Sequence, residues 1–181
     1  TLLKARGYSD AAVDSYKHAI KLKPDYADAY FNMGNTLKDK GELDAAIDSY
    51  KQVLKINPEY FNAYVNMVNI LVKRGEFEAL VDICKHLIKI KPDFAEAYNN
   101  MGNALHEMGD IDAAIDSLEQ AIKIKPDYAE AYFNIGNTLQ DKDELNAVIE
   151  SYRQAITINP DYADAHYNLS FALLNSGGLQ E

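Results

Sequence analysis

The chain contains five prolines, at positions 24, 58, 92, 126 and 160, and each follows the one before by 34 residues. There is no other proline. Around them recur KPDYADAY, NPEYFNAY, KPDFAEAY, KPDYAEAY and NPDYADAH, and half a period later GELDAAIDSY, GEFEALVDIC, GDIDAAIDSL and DELNAVIESY. Self-similarity at a fixed period of roughly 20–50 residues marks one supersecondary unit copied along the chain, each copy packing on its neighbours. Proline is excluded from helix interiors, so no helix in such a chain can run through these points.

Between successive prolines there is room for two helices. The first, for which Ala27–Lys40 serves as the example, follows a Pro-Asp pair. Asp25 is placed to cap it and Asp28, three residues on, to complete a capping-box-like arrangement. Asp93 with Glu96, Asp127 with Glu130 and Asp161 with Asp164 repeat the pattern. The helix should stop at Gly41, a residue suited to the left-handed conformation past a C-terminus, and Gly7, Gly75, Gly109 and Gly177 hold equivalent places. Asp143 stands there in the fourth unit and makes that turn less favourable. The second helix, Glu42–Ile56, sets Leu43, Ala46, Ile47, Tyr50 and Val53 at steps of three and four and ends in lysine. Neither helix can bury its apolar face alone. The expected fold is therefore all-α, a right-handed α-solenoid forming a single array. It divides into a half-unit 1–26, full units 27–60, 61–94, 95–128 and 129–162, and a half-unit 163–181.

A 34-residue helix–turn–helix with Tyr30, Gly34, Leu37, Ala46, Tyr50 and Pro58 in register resembles the tetratricopeptide repeat, and the resemblance covers essentially the whole chain. It implies a superhelix that binds proteins or peptides and performs no catalysis of its own. Unit two carries Val68, Leu80 and Cys84 where unit one has Gly34, Ala46 and Tyr50. Two residues grow and one shrinks, as expected if total core volume is kept.

At 48% apolar and 25% charged the 181 residues compose an ordinary globular chain. The longest apolar runs fall far short of the ~20 residues that cross a bilayer, and no stretch has the order of an export signal. The reading is a cytoplasmic protein with no membrane partner, although Thr1 opens on a helical pattern already under way and the natural N-terminus is expected to lie further upstream. A net charge of −10 argues against nucleic acid and favours a neutral or basic protein partner. Cys84 is the only cysteine; its place in an apolar stripe makes it a buried hydrophobe rather than a nucleophile. His18, His86, His106 and His166 show no metal-ligand spacing, and His166 occupies the place of Tyr30, Tyr64, Tyr98 and Tyr132, where packing is the expectation. No cofactor, metal or catalytic residue is expected in this segment. Lys21, Lys23, Lys55, Lys89, Lys91, Lys123 and Lys125 line the ends of the second helices, where cations complement the helix dipole and could alternatively meet an anion.

The unexplained residues are asparagines. Asn32, Asn66, Asn100, Asn134 and Asn168 recur in all five first helices; Asn35, Asn69, Asn103 and Asn137 recur in four, with Phe171 in the fifth. Nine asparagines cost about 6 kcal/mol of helix propensity relative to alanine. A carboxamide matches the donor and acceptor of a peptide unit, so two such lines suit the grip of an extended backbone, with Phe31, Val65, Phe133 and Tyr167 as apolar anchors. Lys38, Lys73, His106 and Asp141 are placed to bias the choice of side chains. The competing role is internal, asparagine bonded to asparagine between units; the two can coexist.

The carboxylate clamp of chaperone-binding tetratricopeptide domains would need basic residues where Phe31, Glu96 and Asn100 stand, so an acidic tail is a poor ligand. The repeated asparagines and wording such as AYFNMGNTL resemble instead the superhelix of O-linked N-acetylglucosamine transferase and its bacterial relatives, which implies recognition of substrate backbones. Three readings follow: a non-catalytic peptide-binding scaffold, the substrate-recruiting arm of a larger glycosyltransferase-like enzyme, and a module that self-associates end to end through uncapped termini.

Overall fold

A computed structural model describes residues 2–142 and 144–177. Among them are ten helices and no strand. These are α1 (Leu2–Leu22), α2 (Ala27–Asp39), α3 (Leu43–Ile56), α4 (Phe61–Arg74), α5 (Phe77–Ile90), α6 (Ala95–Glu107), α7 (Ile111–Ile124), α8 (Ala129–Gln140), α9 (Leu145–Ile158) and α10 (Ala163–Gly177). The chain divides into two compact units, Thr1–Gly75 and Glu76–Glu181. In each, successive helices pack on one another, the construction of an α-solenoid.

In the first unit, Ala29 and Leu37 of α2, Ala46, Tyr50 and Val53 of α3, and Ala63, Met67 and Leu71 of α4 are buried. In the second, one cluster joins Leu118 of α7, Ile135 and Leu139 of α8, Val148, Ile149 and Tyr152 of α9, and Ala172 of α10. The small residues of the first helices mark the closest approaches. A Cβ on Gly34 would lie 2.7 Å from Tyr50 Cε1, one on Gly136 2.5 Å from Tyr152 Cε1, and one on Gly102 2.6 Å from Leu118 Cγ. The fixed glycine thus accommodates whichever large side chain the second helix brings. Val68, Leu80 and Cys84 are buried as well.

Gly41, Gly75 and Gly109 end their helices at φ of 81°, 65° and 81°, the left-handed conformation expected of them. Gly7 does not: α1 runs through it without interruption. The turn that glycine makes elsewhere is needed only to fold a second helix back on a first. Here the flanking Leu, Lys, Ala and Arg residues favour continuing, against about 0.5–1 kcal/mol for a helical glycine. The helix of α10 extends to Gly177, and Asp143 lies outside the described residues.

At α2, α6 and α8 the expected capping boxes do not form. The N-caps of α2, α6 and α8 are Tyr26, Phe94 and Tyr128, with no side-chain bond to the helix. The Pro-Asp pair is instead the centre of a tight turn, in which Tyr26 N donates to Lys23 O at 3.1 Å and Tyr60, Phe94, Tyr128 and Tyr162 repeat the bond. Proline presets φ at the second turn position, which leaves its aspartate one residue short of the capping place. Among the second helices of the full units, α7 has a side-chain cap, Asp110 accepting from Ala113 N at 3.4 Å.

A further device ties neighbouring repeats. Lys40 meets Asp10 at 2.6 Å, Arg74 meets Asp44 at 2.5 Å and Lys142 meets Asp112 at 2.8 Å, each thirty residues along. Their carboxylates lie in solvent, which screens such pairs, so they favour a register more than they hold it.

Candidate functional site

The two lines of asparagine are joined to each other across repeats. In the first unit Asn35 Oδ1 accepts from the Tyr50 hydroxyl at 2.8 Å and from Asn66 Nδ2 at 2.8 Å. Lys38 Nζ donates to Asn66 Oδ1 at 3.3 Å. Lysine can only donate, which fixes the orientation of the Asn66 amide, hence that of Asn35, and makes the Tyr50 hydroxyl the donor. In the second unit Asn137 Oδ1 accepts from Tyr152 at 2.8 Å and from Asn168 at 3.0 Å. There Gln140, at the repeat place of Lys38, donates to the Tyr152 hydroxyl at 2.6 Å.

These tyrosines are fully buried. Loss of solvation pushes the Tyr50 phenol from 10.0 up to about 12, and the same cause raises Tyr152. Both remain neutral donors at physiological pH.

The motif requires tyrosine on the second helix. Unit three has Leu118 at that place and a different pairing: Asn134 Nδ2 donates to Asn99 Oδ1 at 2.9 Å, and Asn99 Nδ2 to Glu130 at 3.2 Å. Asn99 is fully buried where Phe31 and Phe133 stand in their repeats. Sequence places Asn99 on the groove face beside Asn100 and Asn103 and Tyr50 in the core, but it marked out neither the burial of Asn99 nor the bonds made by Tyr50, Tyr152 and Gln140. The available signals were an asparagine in an otherwise apolar column and tyrosine alternating with cysteine and leucine in another.

The expected site residues therefore divide. Asn35, Asn66, Asn134, Asn137 and Asn168 are bonded internally, Asn100 and Asn103 are half-buried, and Asn32 and Asn69 are exposed. Phe31 is not a free anchor: its ring lies 5.9 Å from Tyr50 and 5.0 Å from Tyr60. Phe133 repeats the arrangement with Tyr152 and Tyr162 at 5.8 and 4.9 Å. Val65 is half-buried, and Tyr167 is 75% exposed. His106 and Asp141 pair at 2.9 Å, Lys38 is bonded to Asn66, and Lys73 is exposed.

Other side chains resolve more simply. His166 is exposed, not packed as expected, and its Nε2 lies 2.9 Å from the Pro160 carbonyl; imidazole reaches that turn acceptor without entering the core. Lys23, Lys91 and Lys125 lie over the rings of Tyr26, Phe94 and Tyr128 at 5.0, 5.5 and 4.6 Å, cation–π contacts that join each turn to the aromatic beginning the next repeat. Cys84 is buried, with its thiol pushed up to about 12 by desolvation. Among the described residues no cluster of His, Cys, Asp and Glu could hold a metal, and no helix is long and apolar enough to cross a membrane.

One family model, described as TPR repeat, matches residues 2–41, 102–143 and 141–177; two described as tetratricopeptide repeat match 27–60 and 83–116. The chain belongs to the tetratricopeptide repeat family. Among solved structures, a MamA protein is 28% identical with a TM-score of 0.78, over 83% of this chain and 82% of its own. Another MamA structure is 26% identical with a TM-score of 0.76, over 89% and 94%. YrrB, described as a TPR protein with an unusual peptide-binding site, is 24% identical with a TM-score of 0.78, over 92% and 86%, which establishes a shared tetratricopeptide fold. No significant match was found among proteins with curated descriptions.

Proposed function

We infer that the chain is a non-catalytic scaffold that grips an extended peptide, or an extended segment of a partner protein, through the outward hydrogens of its asparagines. The observation that carries this reading is the direction of the internal bonds. Asn35 Oδ1 and Asn137 Oδ1 each accept two, and Asn66 Oδ1 accepts one from lysine. With their acceptors engaged, the rungs offer mainly N–H donors. The complementary ligand presents acceptors, which the carbonyl oxygens of an extended backbone supply at regular intervals. The net charge of −10 favours neutral or basic side chains on that ligand. Membership of a family built on helix-pair scaffolds and the peptide-binding site named for YrrB support the reading.

The test replaces Asn35 and Asn137 by aspartate. Asn35→Asp and Asn137→Asp keep oxygens for the tyrosine and the neighbouring asparagine while removing the outward donors. Fluorescence anisotropy with a panel of labelled neutral and basic unstructured peptides should show binding to the native chain and a loss of about tenfold per substitution, with helicity unchanged. Equal affinity of native and doubly substituted chains would refute the reading.

A further inference from the structure

At one place in the second unit the asparagine bonds leave over an acceptor instead of a donor. Asn134 Nδ2 donates to Asn99 Oδ1 at 2.9 Å, and Asn99 Nδ2 donates to Glu130 Oε1 at 3.2 Å. An ionised carboxylate can only accept, so Glu130 fixes the orientation of the Asn99 amide and, through it, that of Asn134. The bonds that start at Lys38 begin on a group that can only donate; these end on a group that can only accept. Around Asn35 and Asn137 the spare capacity is N–H, whereas here it is carboxylate oxygen.

Glu130 is exposed, in the first turn of α8. At the same repeat place, Asp28 is engaged by its own repeat, accepting from the Tyr60 hydroxyl at 3.0 Å, and Glu96 has Lys125 at 3.9 Å. The fourth unit carries Asn159 where Lys125 stands in the third, and Asn159 Oδ1 accepts from Asp161 N at 3.3 Å within its own turn. The lysine that faces Glu96 therefore has no counterpart at Glu130. Burial, and after it the negative charge of Glu130, raise the phenols of Tyr128 and Tyr162, so the carboxylate also stands beside two aromatic side chains.

We propose that Glu130, held in place by Asn99, receives a cationic side chain, lysine or arginine, of the extended peptide. The proposal rests on the reading of the asparagines as a peptide grip and adds which side chain the ligand carries there. Asn99 is 0% exposed at a place where Phe31 and Phe133 stand in other repeats. Burying an amide costs desolvation that its bonds only offset, whereas phenylalanine would pack without that cost. What the amide adds is a surface carboxylate kept in one orientation. An oriented carboxylate flanked by aromatic side chains suits an ammonium or guanidinium group.

The register follows from α8 itself. Glu130 and Asn137 lie two turns apart on that helix, about 10 Å along its axis, which about three residues of extended chain cover. The cation therefore belongs about three residues from the carbonyl held at Asn137. The net charge of −10 also favours basic peptides, but that contribution is spread over the surface and screened by salt, while the Glu130 contact is local.

Fluorescence anisotropy with the 181-residue chain tests this, using labelled neutral unstructured peptides and the same peptides carrying one lysine, in buffer of about 0.15 M salt. The native chain should bind the lysine peptides several-fold more tightly than the neutral ones. Glu130→Gln, which keeps an oxygen for Asn99, should bind both alike while holding the neutral peptides as the native chain does. Glu119→Gln removes the same charge from an exposed site on α7 and should leave the lysine preference intact. A preference that survives in Glu130→Gln, or that Glu119→Gln abolishes equally, overturns the proposal, while undiminished binding of the neutral peptides leaves the backbone grip standing. A native chain that binds none of the peptides overturns both.

Discussion

Asn35→Ala and Asn32→Ala remove the same side chain from the same helix and should change stability in opposite directions. Asn32 is exposed, and replacing it with alanine recovers up to about 0.65 kcal/mol of helix propensity. Asn35 recovers as much but accepts two bonds, from Tyr50 and Asn66. Tyr50 is fully buried, so its orphaned hydroxyl costs about 1–3 kcal/mol, and the lost Asn66 bond about 0.5–1.5 more. The net for Asn35→Ala is a destabilisation of about 1–4 kcal/mol once the propensity gain is subtracted. For a chain of this size each kcal/mol lowers the melting temperature by about 2–4 °C. Thermal unfolding followed at 222 nm, with urea titration for the free energy, measures both variants. If Asn35→Ala proves neutral or stabilising like Asn32→Ala, the bond from Tyr50 contributes nothing and the division between bonded and exposed asparagines has no energetic meaning.

Gly136→Ala should destabilise by about 1–3 kcal/mol in urea titration despite alanine's better helix propensity, because its Cβ meets the ring of Tyr152 at 2.5 Å; a stabilised variant would disprove the close approach. Cys84 should not react with a disulfide reagent at pH 8 until the chain unfolds, since it is buried with its thiol raised to about 12; rapid labelling of the native chain would contradict this. Alkaline titration should show stability intact below pH 10 and falling toward pH 12. The folded Tyr50 pKa is raised from 10.0 to about 12, so above 10 the unfolded chain loses its phenolic proton first and gains the advantage. Stability that stayed flat across that window would mean Tyr50 is not shielded from solvent.

The helices and their order were legible because one proline every 34 residues repeats a strong local signal. Gly41, Gly75 and Gly109 fell where sequence put them, since a left-handed turn is a local requirement. Asp25 was misread because the choice between a cap and a turn depends on a single-residue offset that the Pro-Asp pair alone does not encode. Gly7 was misread because its neighbours set its conformation. The asparagines show the deeper limit. In sequence Asn32 and Asn66 are the same residue of the same motif, yet one is exposed and the other bonded. What separates them lies 28 and 31 residues before Asn66, at Lys38 and Asn35, together with a hydroxyl on Tyr50. Periodicity reveals which positions are equivalent; it does not reveal which of them find partners.

The bonds that join repeats also set a limit on how far the chain must wait for itself. None of the side-chain bonds described above joins residues more than 35 apart, the longest being His106 to Asp141 and Asn134 to Asn99. A repeat leaving the ribosome therefore needs only the one made just before it in order to dock. Assembly can keep pace with synthesis from the first helices onward, and no apolar face has to remain open until the C-terminus arrives.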